Sequence, residues 1–366
     1  MALRTAVDVL LISPMPPPYG GISHWTSLVV DNARTRPGAP DLRVLDTAPG
    51  MRSRLVTSST MRLLQGAVRM CTELGRFVWE LLRHRPAVIH LNTSGQLAFV
   101  RDVAMLTLAS GMRVPAVYHL RFGRLADIAR SGTLEWRWAK LAVARADVVI
   151  ALDPHTEKCL RSQTKARKVV RIPNPVPLER IPPPVADEER RNVMLFVGWV
   201  IKTKGVEELL QAWERLGASD WTLELVGPAD EDYLRRLKAN GMPQSVRFLG
   251  RMDSHEVVER MSRSRVFVFP SHTEGFPNAL AEAMASSMTI VASDVGAIGA
   301  MLDGGAGILV PPKNVDALVN ALRHVMEAPA ERIAMAKLAR TKALGEFSVD
   351  RVFNTYVALW SELAAR

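Results

Sequence analysis

Cysteine is nearly missing from this chain of 366 residues: there are two, Cys71 and Cys159, with no CxxC-type spacing. That excludes a disulfide-held fold and a cysteine-ligated structural metal. Long apolar runs are missing as well. The most apolar stretch, residues 97–112, is broken by Arg101 and Asp102, whereas a membrane-crossing helix needs roughly 18 to 20 apolar residues. The early run at residues 7–12 contains Asp8 and has the length of a buried strand, not of the apolar core of a secretory signal. A mature cytoplasmic chain is expected. Internal repeats and low-complexity tracts are also lacking. Acidic residues are scarce in one half only: residues 1–185 hold 26 Lys and Arg against 13 Asp and Glu, residues 186–366 hold 21 against 24. A field of that sign in the first half suits an anionic surface or an acidic substrate.

Hydrophobic residues make up 48% of the chain and charged residues 23%, which supplies folded cores and excludes disorder. The length fits two domains. Short apolar runs alternate with amphipathic stretches, the pattern of βαβ units and parallel sheets. Strands are expected at 7–13, 42–46, 87–92, 116–120, 148–152 and 169–172, then at 193–197, 223–226, 246–249, 266–269, 290–292 and 308–310. Between the two sets, prolines 173, 175, 177 and 182–184 cannot continue a helix or central strand. The expected organisation is an N-terminal domain over 1–180, a linker over 181–191, a second domain over 192–346 and a final helix over 347–366. Val352, Phe353, Tyr356, Val357, Trp360 and Leu363 give that helix one apolar face.

Three segments carry chemistry. In the first, residues 266–285, a strand leads through Glu274-Gly275-Phe276-Pro277-Asn278 into a helix with Glu282 on its second turn. Proline suits a first helical turn, so the amides of Asn278, Ala279 and Leu280 should point at the positive end of the helix dipole, a phosphate site. The second runs from Gly198-Trp199 through Lys202 and Lys204 to Gly205, a strand-to-helix turn with cations where a diphosphate needs them. The third, Pro16-Pro17-Pro18-Tyr19-Gly20-Gly21, follows the first strand; its adjacent glycines permit positive φ and close approach to a phosphate, but it is not the GxGxxG dinucleotide fingerprint. His119 ends a strand, and His24, His90 and Asn92 stand near other strand ends. Asp230-Glu231-Asp232 spells a DxD but reads as a solvated helix start. Arg52, Arg54, Arg62, Arg69, Arg76, Arg83 and Arg85, interleaved with Leu63, Leu64, Val68, Phe77, Trp79, Leu81 and Leu82, suit an interfacial helix on anionic lipid or an ordinary packed helix. No stacking ladder accompanies the charge, so nucleic acid is not expected as a partner.

The EGFPN segment with its E-x7-E spacing resembles the signature of family 4 glycosyltransferases. The resemblance implies an α/β GT-B fold, two Rossmann-like doubly wound domains facing across a cleft, with the last helix crossing back to the N-terminal domain. It implies that Glu274 contacts the donor sugar, that Glu282 holds the ribose and that Lys204 grips the diphosphate. Gly20, Gly21 and Gly227 would approach the donor, and His119 would bind its sugar. Asn174, in a segment similar to the family's IPNGV element, reads as structural. Trp199 stands where the family carries an arginine, a loss that Lys202 could make good. The implied reaction is metal-independent, retaining transfer from a UDP- or GDP-sugar, with no further cofactor. The basic first half favours a lipid-linked or saccharide acceptor at the inner face of a membrane. A GT-B epimerase or phosphorylase and a non-catalytic partner-binding protein are the alternatives.

Overall fold

Strands buried on both faces read as short continuous apolar runs, and all twelve expected runs form strands, with ends shifted by at most two residues. The computed structural model describes residues 7–17, 20–48, 59–217, 220–239 and 241–366, with backbone alone for 59–64. The chain divides into two compact units, Met1–Pro175 with Val349–Arg366, and Val176–Ser348.

In the first unit β1 (Asp8–Ser13), α1 (Gly21–Thr35), β2 (Asp41–Asp46), α2 (Ser59–His84), β3 (Val88–Thr93) and α3 (Ala98–Gly111) are followed by β4 (Ala116–Leu120), α4 (Leu125–Ser131), α5 (Leu134–Arg145), β5 (Val148–Ala151), α6 (Pro154–Gln163) and β6 (Val169–Arg171). The strands form one parallel sheet in the order β2-β1-β3-β4-β5-β6. Side chains alternate across a sheet, so Leu10, Leu91 and Tyr118 meet α2, α3 and α5 on one face, while Leu11, Val88 and Val117 meet α1 and the C-terminal helix on the other.

The second unit contains β7 (Arg191–Val197), α7 (Val206–Leu216), β8 (Thr222–Val226), α8 (Glu231–Ala239), β9 (Val246–Gly250), α9 (Ser254–Arg263) and β10 (Ser264–Phe269), then α10 (Asn278–Ala285), β11 (Thr289–Ser293), α11 (Ile298–Met301), β12 (Ile308–Val310), α12 (Val315–Glu327) and α13 (Pro329–Glu346). Its parallel sheet has the order β12-β11-β10-β7-β8-β9. The division between units precedes the expected linker at 181–191, which is anchored in the second unit. The Val176 amide donates to Phe347 O at 2.7 Å. The buried Arg190 guanidinium donates to Ser264 O and Ser286 O, each at 2.8 Å. Asp187 pairs with Arg332 at 2.6 Å. Asp187 and Arg190, in the segment expected as a linker, thus anchor it to the second unit.

After Ser348 the chain returns to the first unit as α14 (Val349–Ala364). Its aromatic face is buried there: Trp25 Nε1 donates to Tyr356 Oη at 3.2 Å, Trp360 Nε1 donates to His90 Nδ1 at 3.1 Å, and Lys168 pairs with Glu362 at 2.7 Å.

Candidate functional site

Chain progression reverses at β7 in the second sheet, with β8 and β9 on one side and β10 to β12 on the other. Ligands of open parallel sheets bind beyond the carboxyl ends of the strands at such a reversal. The loops leaving β7 and β10, residues 198–205 and 270–277, frame that position. Two glycines set the close approaches of the loop after β7, one to the turn after β8 and one to the loop after β10. Gly227, directly after β8, has φ 141°, and a Cβ there would lie 1.9 Å from Gly198 O; Gly205 has φ 70°, and its Cβ would lie 2.0 Å from Pro270 O. The loops are then tied by His272 N donating to Thr203 O at 3.0 Å.

This framework brings together two residues 70 positions apart. Lys204 Nζ lies 2.5 Å from Glu274 Oε1, and Ser271 Oγ donates to the same oxygen at 2.7 Å. Lys204 also sits over the Phe269 ring, 5.4 Å from its centroid. Both members of the ion pair are largely buried, at 23% and 11% exposure, which strengthens their attraction relative to a surface pair.

Helix α10 starts one residue later than Pro277 suggests. Pro277 is the N-cap, and the first i→i−4 bond runs from Ala281 N to Pro277 O at 3.3 Å. The amides of Ala279 and Leu280 therefore have no acceptor within the helix. Gly275 O accepts from Ala297 N at 2.9 Å, and Phe276 packs edge-on against Phe347 with centroids 5.3 Å apart, which fixes the entry to the helix. Glu282 lies one turn further on. Burial pushes its carboxyl up to about 7, opposed by the charge of Arg180.

Lys202 points to solvent on the same turn as Lys204. It is 74% exposed and stands 4.0 Å from Glu207 on the following helix. Trp199 is 59% exposed at the tip of the same turn. The DxD is a helix start: Asp230 Oδ1 accepts from Tyr233 N at 2.8 Å, and Asp232 pairs with Arg235.

In the first unit the reversal lies at β1, between β2 and β3. Gly20 and Gly21 follow β1, but neither has a positive φ; Gly20 is extended at φ −164° and caps α1, with its amide donating to Ser23 Oγ at 2.9 Å. A Cβ at Gly21 would meet nothing within 4 Å, so the glycines leave open space at the start of α1. Pro18 and Tyr19 lie outside the described residues. His24 is partly exposed on the first turn of α1. Asn92 is buried; its Nδ2 donates to Ser13 Oγ at 3.0 Å, and its Oδ1 has no hydrogen-bond partner among the described residues.

His119 is placed differently from the expectation. It has no exposed surface, sits edge-on to Trp25, and its Nδ1 lies 3.2 Å from His90 Nε2. Burial holds His90 down at about 3 and His119 well below the usual imidazole range, so both are neutral. The polar group just past the strand end is two residues on. Arg121 Nη1 lies 3.2 Å from His119 Nε2, its guanidinium stacks 4.6 Å from the Trp25 ring, and its Nε has no partner among the described residues. Burial lowers it to about 10, which leaves it cationic. An arginine directly past an apolar strand was its only signal in the sequence.

Two family models match successive parts of the chain: "Glycosyltransferase Family 4" over residues 25–180 and "Glycosyl transferases group 1" over residues 179–342. Glycogen synthase of Mycobacterium tuberculosis is 30% identical over 164 residues, which cover 43% of this chain and 40% of that enzyme; the chain thus spans under half the length of this relative. The lipopolysaccharide core biosynthesis mannosyltransferase LpcC of Rhizobium leguminosarum bv. viciae is 25% identical over 364 residues, 88% of this chain and 98% of that one. Among solved structures, Anabaena HepE in complex with UDP and glucose superposes with a TM-score of 0.72 at 18% identity, covering 97% of this chain and all of that one. The likeness identifies the fold as GT-B.

Proposed function

The chain belongs to the family 4 glycosyltransferases, and from that premise we propose that it moves a sugar from a UDP- or GDP-sugar to a lipid-linked or polysaccharide acceptor, with retention at the anomeric carbon and no metal. The observation that carries the reading is the convergence of Lys204, Glu274 and the N-terminus of α10 at the reversal of the second sheet. HepE, with UDP and glucose bound, supports a nucleotide-sugar donor. LpcC, a lipopolysaccharide core enzyme, supports an acceptor of the cell envelope.

Each part has a chemical task. A donor diphosphate draws Lys204 away from Glu274 and rests against the Ala279 and Leu280 amides, which stabilise the charge that grows on the leaving group. Glu274, released from the lysine, accepts hydrogen bonds from the sugar hydroxyls as the ring gains positive character. Glu282 accepts from the ribose. The bond from the anomeric carbon to the diphosphate oxygen breaks, the acceptor oxygen bonds to that carbon on the same face, and its proton passes to the departing phosphate. His119 acts as a positioning residue for Arg121 rather than as a sugar ligand.

A panel of nucleotide sugars, scored by release of the nucleoside diphosphate and by NMR of the anomeric configuration of the product, tests this reading. One donor should be used with retention, and Glu274→Ala should lower turnover on the order of 100-fold or more while its melting curve stays cooperative. Undiminished turnover by that variant would rule out the assigned role.

A further inference from the structure

We propose that the first unit docks on an anionic lipid bilayer through the joint outer face of α2, α3 and α5. These helices lie in one layer: α3 packs on α2 and on α5, and all three cover the same side of the sheet. Their inward residues, among them Phe77, Leu81, Phe99, Leu106, Trp136 and Val143, already fill the core. The outward side is nevertheless apolar. Helix α2 exposes Val68, Trp79 and Leu82, and Leu97, Leu108 and Met112 stand exposed along and at the ends of α3. Helix α5 adds Leu134, Trp138 and Leu141 at i, i+4 and i+7 spacing. The core does not bury this second set of apolar side chains, and large exposed apolar groups gathered on one helical layer suit an interaction surface.

Charge identifies the partner. The acids of the three helices are all consumed by arginines: Glu73 and Asp102 by Arg101, Glu80 by Arg43, Glu135 by Arg124. Arg76, Arg83, Arg113 and Arg137 are exposed on the same helices or at their ends, with no carboxylate partner among the described residues. Arginines beside two exposed tryptophans and several leucines match an interface with anionic headgroups above and acyl chains below. Of the residues read in the sequence as part of such a surface, Phe77 and Leu81 instead face the core, and the Arg52, Arg54, Arg62, Leu63 and Leu64 side chains lie outside the described residues; α5 was not part of that reading and extends the surface independently.

A cavity of about 600 Å³ opens between α2 and α3 beyond β1 and β3, lined by Ile22, Met70 and Leu97 and by the ion-paired Arg69, Glu73 and Arg101. Leu97 belongs to both the cavity and the docking face.

Flotation of the full chain with phosphatidylcholine vesicles, with and without phosphatidylglycerol, tests the proposal. The protein should float with the anionic vesicles at low salt and lose that binding as salt rises. The double variants Trp138→Glu with Leu141→Glu and Trp79→Glu with Leu82→Glu should each weaken it at least tenfold while the melting temperature and nucleotide binding persist. Lack of flotation by the wild type, equal flotation by the α5 variant, or preferential binding to duplex DNA competed by vesicles would overturn it. Nucleotide titration reads the transferase site separately, so a failure of either idea is recognisable by itself.

Discussion

Glu282 shows how one residue couples binding to pH. Its carboxyl titrates at about 7 in the fold because burial disfavours the charged form, against roughly 4.3 in an unfolded chain. Between those values the folded state holds the proton more tightly, so stability falls as pH rises through that window, and the full cost is present above it. Glu282→Gln carries no such cost. Thermal melts should show the variant gaining stability relative to the wild type on going from pH 4.5 to pH 8, by roughly 1–3 kcal/mol. Donor affinity should move the other way: the carboxylate accepts ribose hydroxyls better than the acid does, so the wild-type KM for donor falls as pH rises past 7. A pH-independent difference between the two melts would show that Glu282 is not buried as a proton-holding acid.

At the scale of elements, the site depends on loops that approach closer than any side chain allows. Gly227→Ala would place a methyl group 1.9 Å from Gly198 O, at a φ of 141° that alanine avoids. The loop after β7 must then move, and Lys204 moves with it. Loss of donor binding by at least tenfold is expected, with stability reduced by roughly 2–4 kcal/mol, both measurable by calorimetry and denaturant titration. Retained donor affinity would mean that the contact of Gly227 with the loop after β7 does not set the position of Lys204.

For the whole molecule, the legible part of the sequence was the local part. All twelve strands could be read because an apolar run bounded by turn residues is a pattern within a few positions. The segment from Glu274 to Glu282 could be read for the same reason, as a strand, a turn and a helix start in succession. Contacts between distant residues were hidden. The pairing of Lys204 with Glu274 needs the crossing of two loops, and the burial of His119 needs Trp25 from α1 and Tyr356 from α14. The segment at 181–191 misled because proline density and charge read as a link, while Arg190 and Asp187 find buried partners far along the chain. The central claim is that the second unit holds a nucleoside diphosphate against Lys204 and α10. Its most direct measurement is isothermal titration of the full chain with UDP and with GDP, repeated on Lys204→Ala. The account predicts saturable one-site binding of one nucleotide, weakened at least tenfold by the substitution; no heat at millimolar nucleotide, or equal affinity in the variant, would contradict it.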